Sequence, residues 1–171
     1  MENIFLLGFM GVGKTTVGCM LAQRLDVEFI DLDAVIEQEA QCSINQIFSQ
    51  YGEGYFRNLE TQVLTQLAIS PAVIATGGGI VGSEENWLLM HKLGSTVYLH
   101  ANWATIEKRL VDVSQRPLAT NGANNELYKL WYSRLPLYNQ AAQIINTDGK
   151  TANQVVDDIM QTLGVDGDNA K

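Results

Sequence analysis

The segment Gly8-Phe9-Met10-Gly11-Val12-Gly13-Lys14-Thr15 constrains this chain more than any other stretch. It follows an apolar run, Asn3 to Leu7, and opens a helical-period segment, Lys14 to Leu25. The spacing is that of a P-loop, GxxxxGK[ST], and this pattern carries physical meaning only between a strand and a helix, where it stands here. Glycines let the backbone curl so that successive N–H groups face a phosphate, and the helix N-terminus adds a dipole that favours anions. Gly11, Val12, Gly13, Lys14, Thr15 and Thr16 are therefore expected to cradle a nucleotide. Lys14 would reach the β and γ phosphates, and the Thr15 hydroxyl would ligate Mg²⁺. The motif speaks for a nucleotide with Mg²⁺, and leaves open what accepts the phosphate, or whether water does.

The rest of the chain alternates in the same way. Asn3 to Leu7, Glu28 to Leu32, Ala72 to Ala75, Thr96 to His100 and Gln143 to Asn146 read as strands, several of them unbroken by polar residues, as strands covered on both faces should be. Helical patterns fill the intervals at Lys14 to Leu25, Ala34 to Ala40, Ile44 to Tyr51, Phe56 to Ile69, Glu84 to Lys92, Trp103 to Val111, Glu126 to Ala141 and Asn153 to Leu163. This order predicts an α/β fold, a parallel sheet with helices on both faces. Residues 34 to 69 hold more helix than a crossover needs, which predicts a substrate-binding region at about 34–60. The polar stretch 114–125, rich in Gly, Pro and Asn, has the composition of a mobile loop, and a lid is expected at about 113–125.

Length and charge narrow the functional classes. With 171 residues and no linker, the chain is expected to form a single domain over 1–165, followed by a polar tail at 166–171. The net charge of -8 argues against broad binding to nucleic acid or an anionic membrane, both of which require a positive field. Any anion site is then local, and each arginine near a loop or helix end carries information. Cys19 and Cys42 show no metal or redox spacing and read as free thiols of a reducing cytoplasm. No targeting or membrane-spanning segment is evident.

At the end of the second strand, Phe29-Ile30-Asp31-Leu32-Asp33 places two carboxylates two residues apart, on the same face of an extended chain. The carboxyl ends of parallel strands border the ligand crevice, and the P-loop follows the first strand at that edge. Asp33 is positioned to take the proton of an acceptor hydroxyl and Asp31 to support the metal; the alternative for Asp33 is a helix cap. Arg57 falls near a helix start, where a ligand anion would offset an unfavourable dipole, and Arg134 lies two residues before Pro136. Two guanidinium forks can clamp a carboxylate, although each arginine could equally serve a surface ion pair. Gly77-Gly78-Gly79 after the third strand suits close backbone approach to a ligand, with a tight turn as the alternative.

Taken together, the loop Gly8 to Thr16, the strand end Phe29 to Asp33, the segment Gly52 to Glu60, Ala75-Thr76-Gly77-Gly78-Gly79, the pair Arg116-Pro117 and Ser133-Arg134-Leu135-Pro136-Leu137-Tyr138 resemble the shikimate kinase family from Asn3 to about Leu163. The resemblance implies a nucleoside-monophosphate-kinase-like three-layer fold with a five-stranded parallel sheet of order 2-3-1-4-5. It implies transfer of the γ-phosphate of ATP to the 3-hydroxyl of shikimate, giving shikimate 3-phosphate and ADP on the chorismate route to aromatic amino acids. By the same resemblance Asp33, Arg57, Gly78, Gly79 and Arg134 would contact shikimate, and Arg116 would swing in with the lid to neutralise charge on the phosphoryl group. Arg109 would stack on the adenine, and Lys150 would touch the base from the loop after the fifth strand. Phe48, Phe56 and Pro117 match apolar neighbours of the bound ring, and a monomer is expected.

Two departures stand out: the lid reads Arg116-Pro117-Leu118-Ala119 where a second leucine is expected, and Ala75-Thr76 occupies the place of a Walker B aspartate. The second leaves Asp31 as the metal-side carboxylate. Rival readings are another small-metabolite kinase such as a gluconate kinase, or a nucleotide-binding protein without turnover. Retention of Lys14, Asp33, Arg57, Arg116 and Arg134 argues for turnover.

Overall fold

A computed structural model describes residues 2–67, 71–114 and 121–165. Five parallel strands, β1 (Asn3–Leu7), β2 (Glu28–Asp31), β3 (Ala72–Ala75), β4 (Gly94–His100) and β5 (Gln143–Asn146), form one sheet of order β2-β3-β1-β4-β5. β1 is central and wholly buried, pairing Ile4 with Val73 of β3 on one side and with Ser95 of β4 on the other. Its run of Ile4, Phe5, Leu6 and Leu7 needs no alternation because helices cover both faces. The sheet order agrees with the expectation drawn from the family resemblance.

Helices α1 (Lys14–Leu25), α2 (Leu32–Ala40), α3 (Ile44–Gln66), α4 (Glu84–Leu93), α5 (Trp103–Ser114), α6 (Asn121–Tyr138) and α7 (Ala152–Leu163) connect and flank the strands. Several ends are set by local chemistry. Ser43 and Thr151 form capping boxes with Gln46 and Gln154, each side-chain pair satisfying two otherwise free backbone donors. α1 carries Gly18 in its interior, where glycine costs about 1 kcal/mol relative to alanine. The reason is packing: a Cβ there would lie 2.4 Å from the Phe29 ring and 3.2 Å from Leu6, so the glycine lets α1 settle onto the sheet. Arg24 ties α1 to α7 through Asp157 and, at 3.2 Å, through Asn153.

Several element bounds depart from the sequence reading, among them α5, which runs to Ser114, and α6, which ends at Tyr138. β2 ends at Asp31, and Leu32 begins α2, so Asp33 sits in the first turn of a helix rather than on a strand beside Asp31. The two helical stretches expected around residues 52–55 are merged into α3, with a kink where Gly52 adopts φ 80° and ψ 173°. β4 starts two residues early, since Gly94 runs against Asn3 so closely that a Cβ would lie 2.0 Å from the Asn3 carbonyl oxygen. Residues 121–125, expected as loop, are the first turn of α6, and Asn124 bonds to Glu107 of α5. Arg116, Pro117 and the rest of 115–120, with the tail 166–171, lie outside the described residues.

Candidate active site

The carboxyl ends of β1, β2 and β3 meet at one edge of the sheet, and a cleft of about 970 Å³ opens there. Gly11, Gly13, Lys14, Thr15, Thr16, Asp31, Asp33, Arg57, Gly78, Gly79, Arg109 and Arg134 all line it. Two expected residues do not. The Val12 side chain is buried beneath the loop, with its N–H on the Phe9 carbonyl at 3.3 Å, and Lys150 lies away from the cleft, paired with Asp158 at 2.7 Å.

On the nucleotide side, Gly13 caps α1 at φ 105° without a side-chain cap, a left-handed conformation that glycine adopts at little cost. The first N–H groups of α1 therefore stay available to an anion. The Lys14 ammonium donates to the carbonyls of Gly8 at 2.8 Å and Phe9 at 3.2 Å. Burial lowers its pKa from 10.5 to about 8, with Asp33 and Asp31 opposing the fall and Arg134 adding to it. The Arg109 guanidinium, from α5, donates to the Val12 carbonyl at 2.8 Å and so lies against the loop. Thr15 donates its hydroxyl to Asp31 at 3.1 Å. Among the described residues no group of three or more His, Cys, Asp or Glu is placed to hold a metal ion. A hard cation at the Thr15–Asp31 pair would draw the rest of its oxygen shell from phosphates and water, the usual arrangement for Mg²⁺.

The opposite wall is built from α2, α3, α6 and the triple glycine. Asp31 is the residue preceding α2 and makes no side-chain cap bond; Asp33, one residue inside α2, is not the cap, so the capping alternative for Asp33 does not hold. The Asp33 Oδ1 atom is buried without a partner among the described residues. Its pKa is raised, by burial first and by Asp31 next, against the pull of Lys14. A carboxylate in this condition favours accepting a proton or a hydroxyl hydrogen bond.

Arg57 is not left waiting for a ligand anion, as its position near a helix start suggested. Glu53 accepts from it at 2.9 Å and 3.3 Å, and the fully buried Glu60 at 2.5 Å. Glu60 is a site residue the sequence reading passed over, although its spacing of three from Arg57 on a helix was a signal. Burial raises its pKa while Arg57 opposes the rise, and its Oε1 atom, like Asp33 Oδ1, has no partner among the described residues.

The three glycines explain how these groups fit together. A Cβ on Gly77 would lie 2.8 Å from both Asp33 Oδ1 and Glu60 Oε1, and one on Gly79 would lie 2.4 Å from Arg57 Nη2. At Gly78 the neighbours would be the Tyr138 hydroxyl at 3.5 Å and Arg134 Nη1 at 3.7 Å. The loop thus omits side chains at Gly77 and Gly79 so that two acids and the Arg57 guanidinium can approach it, while Arg134 from α6 comes within ordinary contact of Gly78. Phe48 and Phe56, in contact at 4.8 Å between ring centroids, add an apolar wall.

A family model described as shikimate kinase matches residues 10–164. The chain belongs to the shikimate kinase family. A shikimate kinase of Enterococcus faecalis is 39% identical over 166 residues, covering 95% of this chain and 99% of that protein. A solved structure of shikimate kinase from Acinetobacter baumannii in complex with shikimate is 36% identical, with a TM-score of 0.87, and covers 100% of this chain and 96% of its own. A gluconokinase structure from Sinorhizobium meliloti covers 95% of this chain and 91% of its own with a TM-score of 0.63, but at 15% identity it shares the fold alone. Membership of the shikimate kinase family thus rests on sequence as well as on shape.

Proposed function

We propose that this chain is a shikimate kinase that transfers the γ-phosphoryl group of ATP to the 3-hydroxyl of shikimate. The observation that carries the reading is the convergence of Arg57 and Arg134 over Gly78 and Gly79, in one cleft with the unpartnered Asp33 oxygen and the Lys14 ammonium. A small hydroxy acid suits that arrangement, its planar carboxylate between guanidinium groups and a hydroxyl toward Asp33.

The chemistry asks chiefly for positioning and charge stabilisation. Gly11, Gly13 and Thr16 offer the loop and helix-end backbone to the phosphates, Val12 is assigned there too once its N–H leaves the Phe9 carbonyl, and Arg109 flanks the nucleotide. Lys14 follows the phosphoryl oxygens. Asp33 orients the acceptor hydroxyl and takes its proton, a task suited to its raised pKa. Thr15 and Asp31 would hold Mg²⁺, which neutralises charge on the phosphates. Arg116 is assigned to the phosphoryl group from the lid, and Lys150 to the base, where an existing bond to Asp158 must yield first. The assignment of 1–165 as one kinase domain, with a substrate region at 34–60 and a lid at 113–125, belongs to the same reading.

A monomer working in the cytoplasm, without nucleic-acid or membrane partners, completes it. The net charge of -8 and the two free cysteines support that setting, and among the described residues no helix is long and apolar enough to cross a membrane.

ADP release with ATP-Mg and shikimate, gluconate or a nucleoside monophosphate tests the reading directly. Turnover is expected with shikimate alone; turnover with gluconate instead, or with none of them, overturns it. Arg57→Ala is expected to raise the KM for shikimate by about a hundredfold, the scale of a lost charge-assisted contact, with little change in the KM for ATP.

A further inference from the structure

Tyr138 has no place in the reaction just described, yet it is fully buried beneath the acceptor wall. It follows Arg134 by four residues on α6, so the two side chains leave the same side of the helix. Its ring lies flat on Tyr98 of β4, with centroids 4.9 Å apart and planes 14° apart. Its hydroxyl donates to the Gly78 carbonyl at 2.5 Å. Burial pushes that hydroxyl far above the usual phenol range, with Arg134 opposing, so it remains a donor at any working pH.

The peptide joining Gly78 to Gly79 is planar, and its carbonyl and N–H point in opposite directions. Anchoring the Gly78 carbonyl on Tyr138 therefore turns the Gly79 N–H away from the core. No acceptor for that N–H is found among the described residues, and both glycines line the cleft. Without side chains, a run of glycines has little else to stop this peptide from turning over. Pro136, between Arg134 and Tyr138, removes one rung of the helix ladder, so the last turn of α6 gains from an outside anchor.

We propose that Tyr138 is a positioning residue for the acceptor: its hydroxyl sets the Gly78–Gly79 peptide so that the Gly79 N–H and the Arg134 guanidinium act as one receptor for the acceptor's carboxylate. The inference rests on the kinase reading above and adds to it the device that orients the glycine loop.

Tyr138→Phe keeps the ring and its stacking and removes one oxygen. The variant is expected to raise the KM for shikimate about tenfold, the scale of one hydrogen bond lost from a binding site, with kcat within about twofold and the KM for ATP unchanged. An acceptor analogue whose carboxylate is replaced by a hydroxymethyl group should be handled alike by both proteins. Tyr132→Phe, at an exposed position on the same helix, serves as the control and should match wild type. Equal losses for both substrates, or a loss that persists with the hydroxymethyl analogue, overturn the proposal.

The wild-type protein gives a second reading that does not depend on the variant's folding. The Gly79 amide resonance should shift on adding shikimate and not on adding the hydroxymethyl analogue; no shift with shikimate overturns the proposal. Absence of shikimate-dependent ADP release by wild type would instead remove the kinase reading beneath it.

Discussion

Asp33 and Lys14 hold opposite charges in the cleft, and burial works against both. For Asp33 the folded carboxyl binds its proton more tightly than the unfolded one, whose pKa is 3.8. Between those two values the native state carries more protons, so stability falls as pH rises through the window and the cost is fully present above it. Asp33→Asn should therefore raise the melting temperature at pH 7, with the gain shrinking as the pH falls through the folded pKa and gone below the unfolded value of 3.8, while lowering kcat by about 10² or more. Thermal melts across pH, paired with ADP-release assays, check both halves; a destabilised Asp33→Asn protein at neutral pH would contradict the account.

For Lys14 the sign is reversed. The folded ammonium releases its proton near pH 8 while the unfolded one keeps it to 10.5, so stability rises between those values. A polyphosphate that needs the charged ammonium must then bind with proton uptake around pH 8. ADP affinity is expected to be level below about pH 7.5 and to fall about tenfold per unit above 8, a one-proton dependence. Calorimetric titrations in buffers of different ionisation enthalpy measure this; a flat profile to pH 9.5 would remove Lys14 from phosphate binding.

At the level of elements, the triple glycine after β3 works as a set of omitted side chains. Gly79 has φ -102°, which alanine adopts without strain, and the atom it would strike is the mobile end of Arg57. Gly79→Ala should therefore add no backbone strain but displace the guanidinium from Glu53 and the buried Glu60, lowering the melting temperature through that lost ion pair and raising the KM for shikimate by about a hundredfold. Gly82→Ala, with nothing within 4 Å of the new methyl, should behave as wild type in the same assays. The sequence marked this loop for close approach but not what approaches. It anticipated a ligand, whereas the nearest neighbours are Arg57, Asp33 and Glu60, contacts between residues distant in the chain that no local pattern encodes.

Other elements were legible where local chemistry decides and obscure where packing does. Short runs centred on apolar residues marked β1, β3 and β5 to the residue, and α1 was bounded correctly by Gly13 and Leu25. Gly94 hid the start of β4, because its role is to let two strands meet closely. The polar composition of 121–125 hid the first turn of α6, part of whose support is a side-chain bond to Glu107 in another helix. Glu60 and Tyr138 escaped for a related reason: each is three or four residues from an arginine, a spacing that reads as ordinary helix surface until burial is known.

Across the whole molecule, the strand order brings the loop after β1 beside the ends of β2 and β3, so residues 13–16, Asp31, Asp33 and residues 76–79 border one cleft despite their separation in sequence. The net charge of -8 makes the local gathering of Lys14, Arg57, Arg109 and Arg134 an exception to the surrounding field. The floor beneath the acceptor is bare backbone, and methyl groups added at Gly77 or Gly79 would collide with the protein's own working groups. An inhibitor that presses against that floor would meet a surface the protein cannot reshape without disabling itself, so escape by mutation would have to arise along the rim, where side chains are free to change.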